Sequence, residues 1–337
     1  MTKTTLTGVS RLMLLFLLAV SVFSCKNNNQ EENPAEVATS EPEEEEKDLF
    51  FKISLAQWSL SQPIFEGELD PMDFAEKANE MGFEGIEYVS QLYTPMYKDS
   101  ADPEAALQIV LDTLKSRSDK FNVDNVLIMV DGEGDLASNS EEERDEAVEN
   151  HKKWVDAAEF LGAHSIRVNL FGSEVPEEWQ ENAVDGLTKL SEYAAGKDIN
   201  VLVENHGYLS SNAALLVEVM ERVDMENCGT LPDFGNFCLK REGGERWEAK
   251  CVEEYPIYQG VEELMEHAKA VSAKSYDFDE TGQETKIDFG RMLQIVKDAG
   301  YTGYIGVEYE GQRMSPEEGI IATKEILIEE GKKLSNQ

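Results

Sequence analysis

Met81-Gly82-Phe83-Glu84-Gly85-Ile86-Glu87 is nearly rewritten at Ala299-Gly300-Tyr301-Thr302-Gly303-Tyr304-Ile305, and more loosely at Leu161-Gly162-Ala163-His164-Ser165-Ile166. Each copy leaves an amphipathic pattern, passes a glycine and enters a short apolar run. Gly82, Gly162 and Gly300 stand where a helix needs a left-handed residue to stop. The recurring joint is therefore helix, glycine, strand. Apolar runs at 51–57, 84–89, 123–130, 164–169, 200–205, 228–233, 270–275 and 303–309 read as strands covered on both faces, as in a parallel sheet. Amphipathic stretches lie between them at 71–81, 141–161, 179–196, 212–223, 287–299 and 316–333. The first has Asp70 as N-cap and Pro71 as its opening helical residue. Eight such units close most naturally into an α/β fold of the (β/α)8 TIM-barrel type. The alternative, an open doubly wound sheet, usually carries a Gly-rich phosphate loop after its first strand, where this chain has Gln57-Trp58-Ser59-Leu60.

In such a barrel the chemistry gathers at the C-terminal ends of the strands. Strand five ends on Glu204 with His206 on the same face, and strand six on Asp233 with Asn236 three residues on. Strand seven offers Ser272 and Lys274, strand eight Glu308 and Glu310, and strand four Arg167 and Asn169. Strand two offers Glu87, and strand one Gln57 and Trp58. An ionised group at the end of an apolar strand is costly unless it is paired, hydrated or bound to a cation. Glu204, Asp233 and Glu308 at equivalent ends of three strands admit two readings. One is a set of ion pairs with Arg167 and Lys274 that closes the barrel top. The other is a divalent metal, Mn, Mg, Co or Zn, held by the three carboxylates. On that reading the metal polarises a sugar carbonyl, while Glu204 and Glu308 remove and return a proton on the adjacent carbon.

The pieces VLVENHG (201–207), LPDFGN (231–236), VSAKSYDFD (271–279) and GYTGYIGVEYEG (300–311) give the chain a resemblance to the xylose isomerase-like TIM barrels, the sugar phosphate isomerase/epimerase superfamily. The resemblance covers most of 51–333. It implies a divalent metal bound through Glu, Asp, His and Glu at the ends of strands five to eight, and Glu204, Asp233 and Glu308 match three of these. Ser272 stands where the histidine is expected, and Asn236 replaces a second frequent histidine. Three arrangements remain open: three carboxylates with water, His206 as the missing imidazole, or Lys274 as the electrophile in place of a metal. Lys274 joins Glu204 and Glu308 as a catalytic candidate. Gln57, Trp58, Glu87, Arg167, Asn169, His206 and Asn236 are the substrate-contact candidates, with Trp58 a platform for an apolar sugar face. His151 reads as structural, and Tyr255 and Tyr258 as either a lid or ordinary loop aromatics. The resemblance implies isomerisation, epimerisation, or hydration and elimination beside a carbonyl. A non-catalytic sugar-binding protein is the alternative that the missing histidine suggests. DNA-repair nucleases of the superfamily use histidine-rich multi-zinc sites, which a chain with four histidines does not readily supply.

The beginning of the chain reads as an address. Lys3 and Arg11 precede the apolar run Leu14 to Val20, and Val22-Phe23-Ser24 leads into Cys25. The order is that of a secretory signal, and the run is too short to span a bilayer. The small residue before Cys25 resembles a bacterial lipobox, so residues 1–24 are expected as a signal peptide and Cys25 as the lipidated residue. The protein is then exported and lipid-anchored to a bacterial membrane, facing the periplasm or the cell surface. Residues 25–48 are polar and acidic, with nothing to form a core, and read as a tether. Residues 49–337 form the barrel domain. Of the formal charge of −38, about −33 falls on that body, which repels phosphate backbones and excludes nucleic acid as a partner. The partner expected is a small carbohydrate. Export, the acidic body and the absence of a Gly-rich phosphate loop point to a non-phosphorylated one. Outside the cytoplasm disulfides form, and Cys238 and Cys251, bracketing a loop-like stretch rich in Gly and charge, are the pair expected. Cys228 opens an apolar strand and reads as a core residue.

Overall fold

A computed structural model describes residues 48–336, except 245, 246 and 248. The signal segment, Cys25 and the tether as far as residue 47 lie outside the described residues. The described strands are β1 (Lys52–Ala56), β2 (Gly85–Val89), β3 (Asp124–Met129), β4 (Ser165–Val168), β5 (Asn200–Glu204), β6 (Cys228–Leu231), β7 (Cys238–Arg241), β8 (Cys251–Glu254), β9 (Val271–Ser275) and β10 (Tyr304–Tyr309). Eight of them pair in parallel in the order β6-β5-β4-β3-β2-β1-β10-β9. Each falls inside one of the eight expected apolar runs. Parallel bridges between Thr230 and Ala268 and between Asp233 and Ser272 join the two end strands, so the sheet curls into a barrel. The second bridge sets Asp233 and Ser272 side by side at the barrel top.

The strands are buried because helices cover their outer faces and side chains fill the interior. Two longer helices, Pro103–Phe121 and Ile257–Leu264, and two short ones, Ser61–Phe65 and Thr94–Tyr97, are additional to those expected. The helix-to-strand joints are built as the repeat implies: Gly82, Gly162 and Gly300 have φ of 73°, 79° and 74°, a conformation that costs glycine little. Gly306 has a different reason. A Cβ there would lie 2.5 Å from a carboxylate oxygen of Glu87, so the glycine leaves space inside the barrel.

The stretch between Cys238 and Cys251, expected as a loop, opens with β7 and leads into β8, and the two strands pair as an antiparallel ribbon. The disulfide Cys238–Cys251 joins the first residue of β7 to the first residue of β8, with Cα atoms 5.8 Å apart. Cys228 is free and buried, with its thiol 3.9 Å from the Met220 sulfur. Among the described residues no helix is long and apolar enough to cross a membrane.

Candidate active site

Arg167 is the third residue of β4, a strand whose residues are all buried. Its Nη1 lies 3.0 Å from Asp131 Oδ1, and its Nε lies 2.9 Å from Glu204 Oε2, an ion contact without hydrogen-bond alignment. Asp131 Oδ1 also accepts from Asn169 Nδ2 at 2.6 Å, which turns the Asn169 oxygen toward His206 Nδ1 at 2.7 Å. An amide oxygen only accepts, so Nδ1 carries the imidazole proton and Nε2 is the basic nitrogen. Burial raises the Asp131 carboxyl, but Arg167, His206 and the Asn169 hydrogen bond outweigh it and hold it below its ordinary range. At Glu204 burial is likewise outweighed, here by His206, Arg167 and Lys274, and its pKa is lowered. Burial pushes the His206 imidazole down, which keeps it neutral at neutral pH.

Lys274 is buried within β9. Its Nζ lies 3.1 Å from Glu308 Oε1, 3.2 Å from Glu310 Oε1 and 3.9 Å from Asp233 Oδ2. Burial disfavours the ammonium, but Glu308, Glu310, Asp233 and Glu204 hold its pKa well above the ordinary value, so it stays charged. The Ser272 hydroxyl lies 2.6 Å from Asp233 Oδ2 and 2.9 Å from Glu308 Oε2. A hydroxyl has one hydrogen, so Ser272 donates to only one of the two carboxyls at a time. Burial raises both Asp233 and Glu308, and repulsion from Glu204 adds to it while Lys274 offsets only part.

Short hydrogen bonds hold the remaining parts. Asp233 Oδ1 accepts from the backbone N–H groups of Gly235 and Asn236, each at 2.8 Å. Asn236 Nδ2 then donates to Glu204 Oε1 at 2.9 Å. The buried Asn205 amide brackets Asp233, donating to its carbonyl at 3.0 Å and accepting from its N–H at 2.7 Å.

Carboxylate oxygens of Glu204, Asp233 and Glu308 lie within 4.8 Å of one another, all buried. With Asp131 and Glu310 added, five carboxyls surround the two permanent cations Arg167 and Lys274. A hard oxygen donor set with excess negative charge fits a divalent cation of the Mg, Mn, Co or Zn type.

A cavity of about 560 Å³ opens over this cluster. Of the expected site residues, Trp58, Arg167, Asn169, Glu204, His206, Asn236 and Glu308 line it. Asp233 and Lys274 sit behind that wall, in contact with Glu308 or its partner Ser272. Gln57 and Glu87, expected to touch substrate, are not in the lining. The chain turns into a 3-10 helix at Gln57, and the amide is spent inside the protein. It donates to Tyr93 Oη at 2.8 Å and to the Pro71 carbonyl at 3.3 Å, and accepts from Val89 N–H at 3.0 Å. Glu87 sits in mid-strand, one layer deeper, where Ser54 donates to Oε1 at 2.6 Å and Oε2 has no hydrogen-bond partner. Burial pushes its pKa up to about 8.

The lining also holds residues that sequence reading passed over: Asp131, Phe171, Arg241, Trp247 and Tyr276. Asp131 ends the apolar run VLIMVD and carries the same signal as Glu204. Arg241 and Trp247 come from the ribbon and its connecting loop, and no local pattern announces them. Tyr255 and Tyr258 are not a lid over the lining. Tyr255 Oη donates to Glu263 at 2.7 Å, and Tyr258 packs under the Arg291 guanidinium. His151 bonds the Ala147 carbonyl within its own helix at 2.7 Å.

A family model described as Xylose isomerase-like TIM barrel matches residues 75–330. The chain belongs to the xylose isomerase-like TIM barrel family. Among solved xylose isomerase-like and related barrels, L-ribulose 3-epimerase superposes with a TM-score of 0.62 at 14% identity, covering 85% of this chain and 96% of that one. The IOLI protein with a binding zinc atom gives 0.61 at 16% identity, covering 84% and 99%. At these identities the likeness is one of fold. The 3'-dehydrocarminate deglycosidase alpha subunit of Microbacterium sp is 49% identical over 48 residues, 14% of each chain. The chain thus matches about a seventh of the length of that curated relative.

Proposed function

We propose that this xylose isomerase-like barrel is an exported enzyme, tethered by lipid on Cys25, that isomerises or epimerises a non-phosphorylated sugar or keto-sugar. It moves a proton on the carbon next to a carbonyl, with a divalent metal assisting. The observation that carries the reading is a pair of glutamates on one cavity whose surroundings push their ionisation apart, Glu204 downward and Glu308 upward.

Glu204 is the ionised group that takes the proton, steadied by Arg167 and by the Asn236 amide. Glu308, backed by Lys274 and Ser272, faces the sugar from another strand and returns it. The neutral imidazole of His206, with its basic Nε2 set by Asn169, receives a sugar hydroxyl. A metal held by Glu204, Asp233 and Glu308 would polarise the carbonyl and offset enediolate charge. The carboxyls around the cavity floor disfavour a phosphorylated substrate. The test is solvent deuterium exchange into a panel of keto-sugars. The parent chain is expected to exchange the proton beside the carbonyl, and Glu204→Gln and Glu308→Gln to stop it. Undiminished exchange in both variants would refute the acid–base assignment.

The partial match to a deglycosidase subunit favours a second reading, a keto-sugar hydratase or lyase that begins with the same proton removal. Product analysis separates the two, since an epimer retains every substituent and elimination releases one.

A further inference from the structure

We propose that Trp247 and Phe171, with the adjoining face of His206, form an outer subsite for the second ring of a glycoside, so that the substrate is a glycoside rather than a free monosaccharide. The inference deepens the proposed carbonyl chemistry and rests on it for the floor of the cavity.

The cavity changes character with height. Its floor is the carboxylate cluster, which suits hydroxyl and carbonyl oxygens. Its outer wall is aromatic. The Trp247 ring centroid lies 4.8 Å from that of His206 and 5.6 Å from that of Phe171. Trp247 remains 45% exposed although it lines the cavity, an apolar ring face left for another ring to cover. Trp58 lines the cavity from the end of β1, four strands round from β5 and so on the opposite side of the barrel.

Size points the same way. A free hexose fills roughly 200 Å³, reckoned against the ~30 Å³ that each water takes in the liquid. The cavity offers about 560 Å³, room for a further ring beyond the reacting sugar. Arg241 and Cys238 of the ribbon belong to the same lining, and the Cys238–Cys251 disulfide joins the first residue of β7 to the first residue of β8.

The experiment is isothermal titration of the full chain with phenyl and methyl β-glycosides of glucose, galactose and xylose, which present one sugar with and without a second ring. For the sugar that the floor accepts, the phenyl glycoside is expected to bind about tenfold more tightly than the methyl one. Trp247→Ala removes that advantage and Trp247→Phe keeps most of it, and the exposed position leaves the fold intact in both. Equal affinities, an advantage that survives in Trp247→Ala, or no binding of any of these glycosides overturns the proposal. Equal affinities in a chain that still exchanges deuterium would remove the outer subsite alone. A phenyl advantage in a chain whose exchange ignores Glu204→Gln and Glu308→Gln would remove the acid–base reading alone.

Discussion

Arg167 and Lys274 are both buried cations at the top of one barrel, yet their surroundings behave differently. Arg167 meets Asp131 and Glu204, and both carboxyls are held below their ordinary range. Lys274 meets Glu308, Glu310 and Asp233, and of these Glu308 and Asp233 are raised. The two sides use the same residue types on equivalent strand ends. What separates them is the ratio of carboxyls to cations, and a serine that bridges two carboxyls with a single hydroxyl hydrogen. Ionisation here belongs to the cluster rather than to any residue, and the asymmetry gives the cavity a basic side and an acidic side.

The comparison can be broken in several places. The largest effect is expected from Glu204→Gln, which removes the base on the Arg167 side and should lower the exchange rate by about 10²–10⁴-fold, read by mass spectrometry of the recovered sugar. Next comes Lys274→Met. Removing one partner of a buried ion pair leaves uncompensated charge, and a loss of about 3–5 kcal/mol is expected in urea unfolding. Adding Glu308→Gln to that variant should recover part of the loss, because one carboxylate fewer is left unpaired.

Glu87 supplies a pH test of somewhat smaller size. Its folded-state pKa of about 8 lies above the ordinary 4.5, so its stabilising contribution is complete below 4.5 and is lost as the pH rises toward 8. Glu87→Gln cannot titrate. Its stability relative to the parent chain should therefore improve by about 3 kcal/mol between pH 4.5 and pH 7, measured by paired urea titrations. A flat difference across that window would show that Glu87 ionises freely. The smallest effect is expected from Ser272→His, which supplies the imidazole that the family resemblance leads one to expect. Its affinity for Mn²⁺, measured by calorimetry, should exceed that of the parent chain by about tenfold. An unchanged affinity would detach position 272 from the metal.

Much of this was legible in the chain itself. The helix–glycine–strand joint and the apolar runs place all eight barrel strands, because periodicity and chain reversal are local properties. Glu204, Asp233 and Glu308 stood out because charge at the end of an apolar run conflicts with burial wherever it occurs. The same rule misplaced Gln57 and Glu87. Both are polar residues in apolar runs, but β2 continues through Val89 and carries Glu87 to mid-barrel, while the turn after β1 rotates Gln57 toward Tyr93. Depth along a barrel strand depends on where neighbouring strands begin, and one strand read alone does not contain that. Arg241 and Trp247 left no local signal, because the ribbon that carries them reads as a charged, glycine-rich loop.

By itself, then, the sequence determined the alternation of elements, the barrel class and the strand ends where charge collects. Tertiary structure alone decided how those charges are paired. Ser272 reaches Asp233 across 39 residues and Glu308 across 36, and Asn169 sets the His206 tautomer from 37 residues away. Hydrophobic pattern is written residue by residue along the chain. A pKa, a tautomer and an aromatic wall depend on distances of a few ångströms between side chains that only the closed barrel brings together.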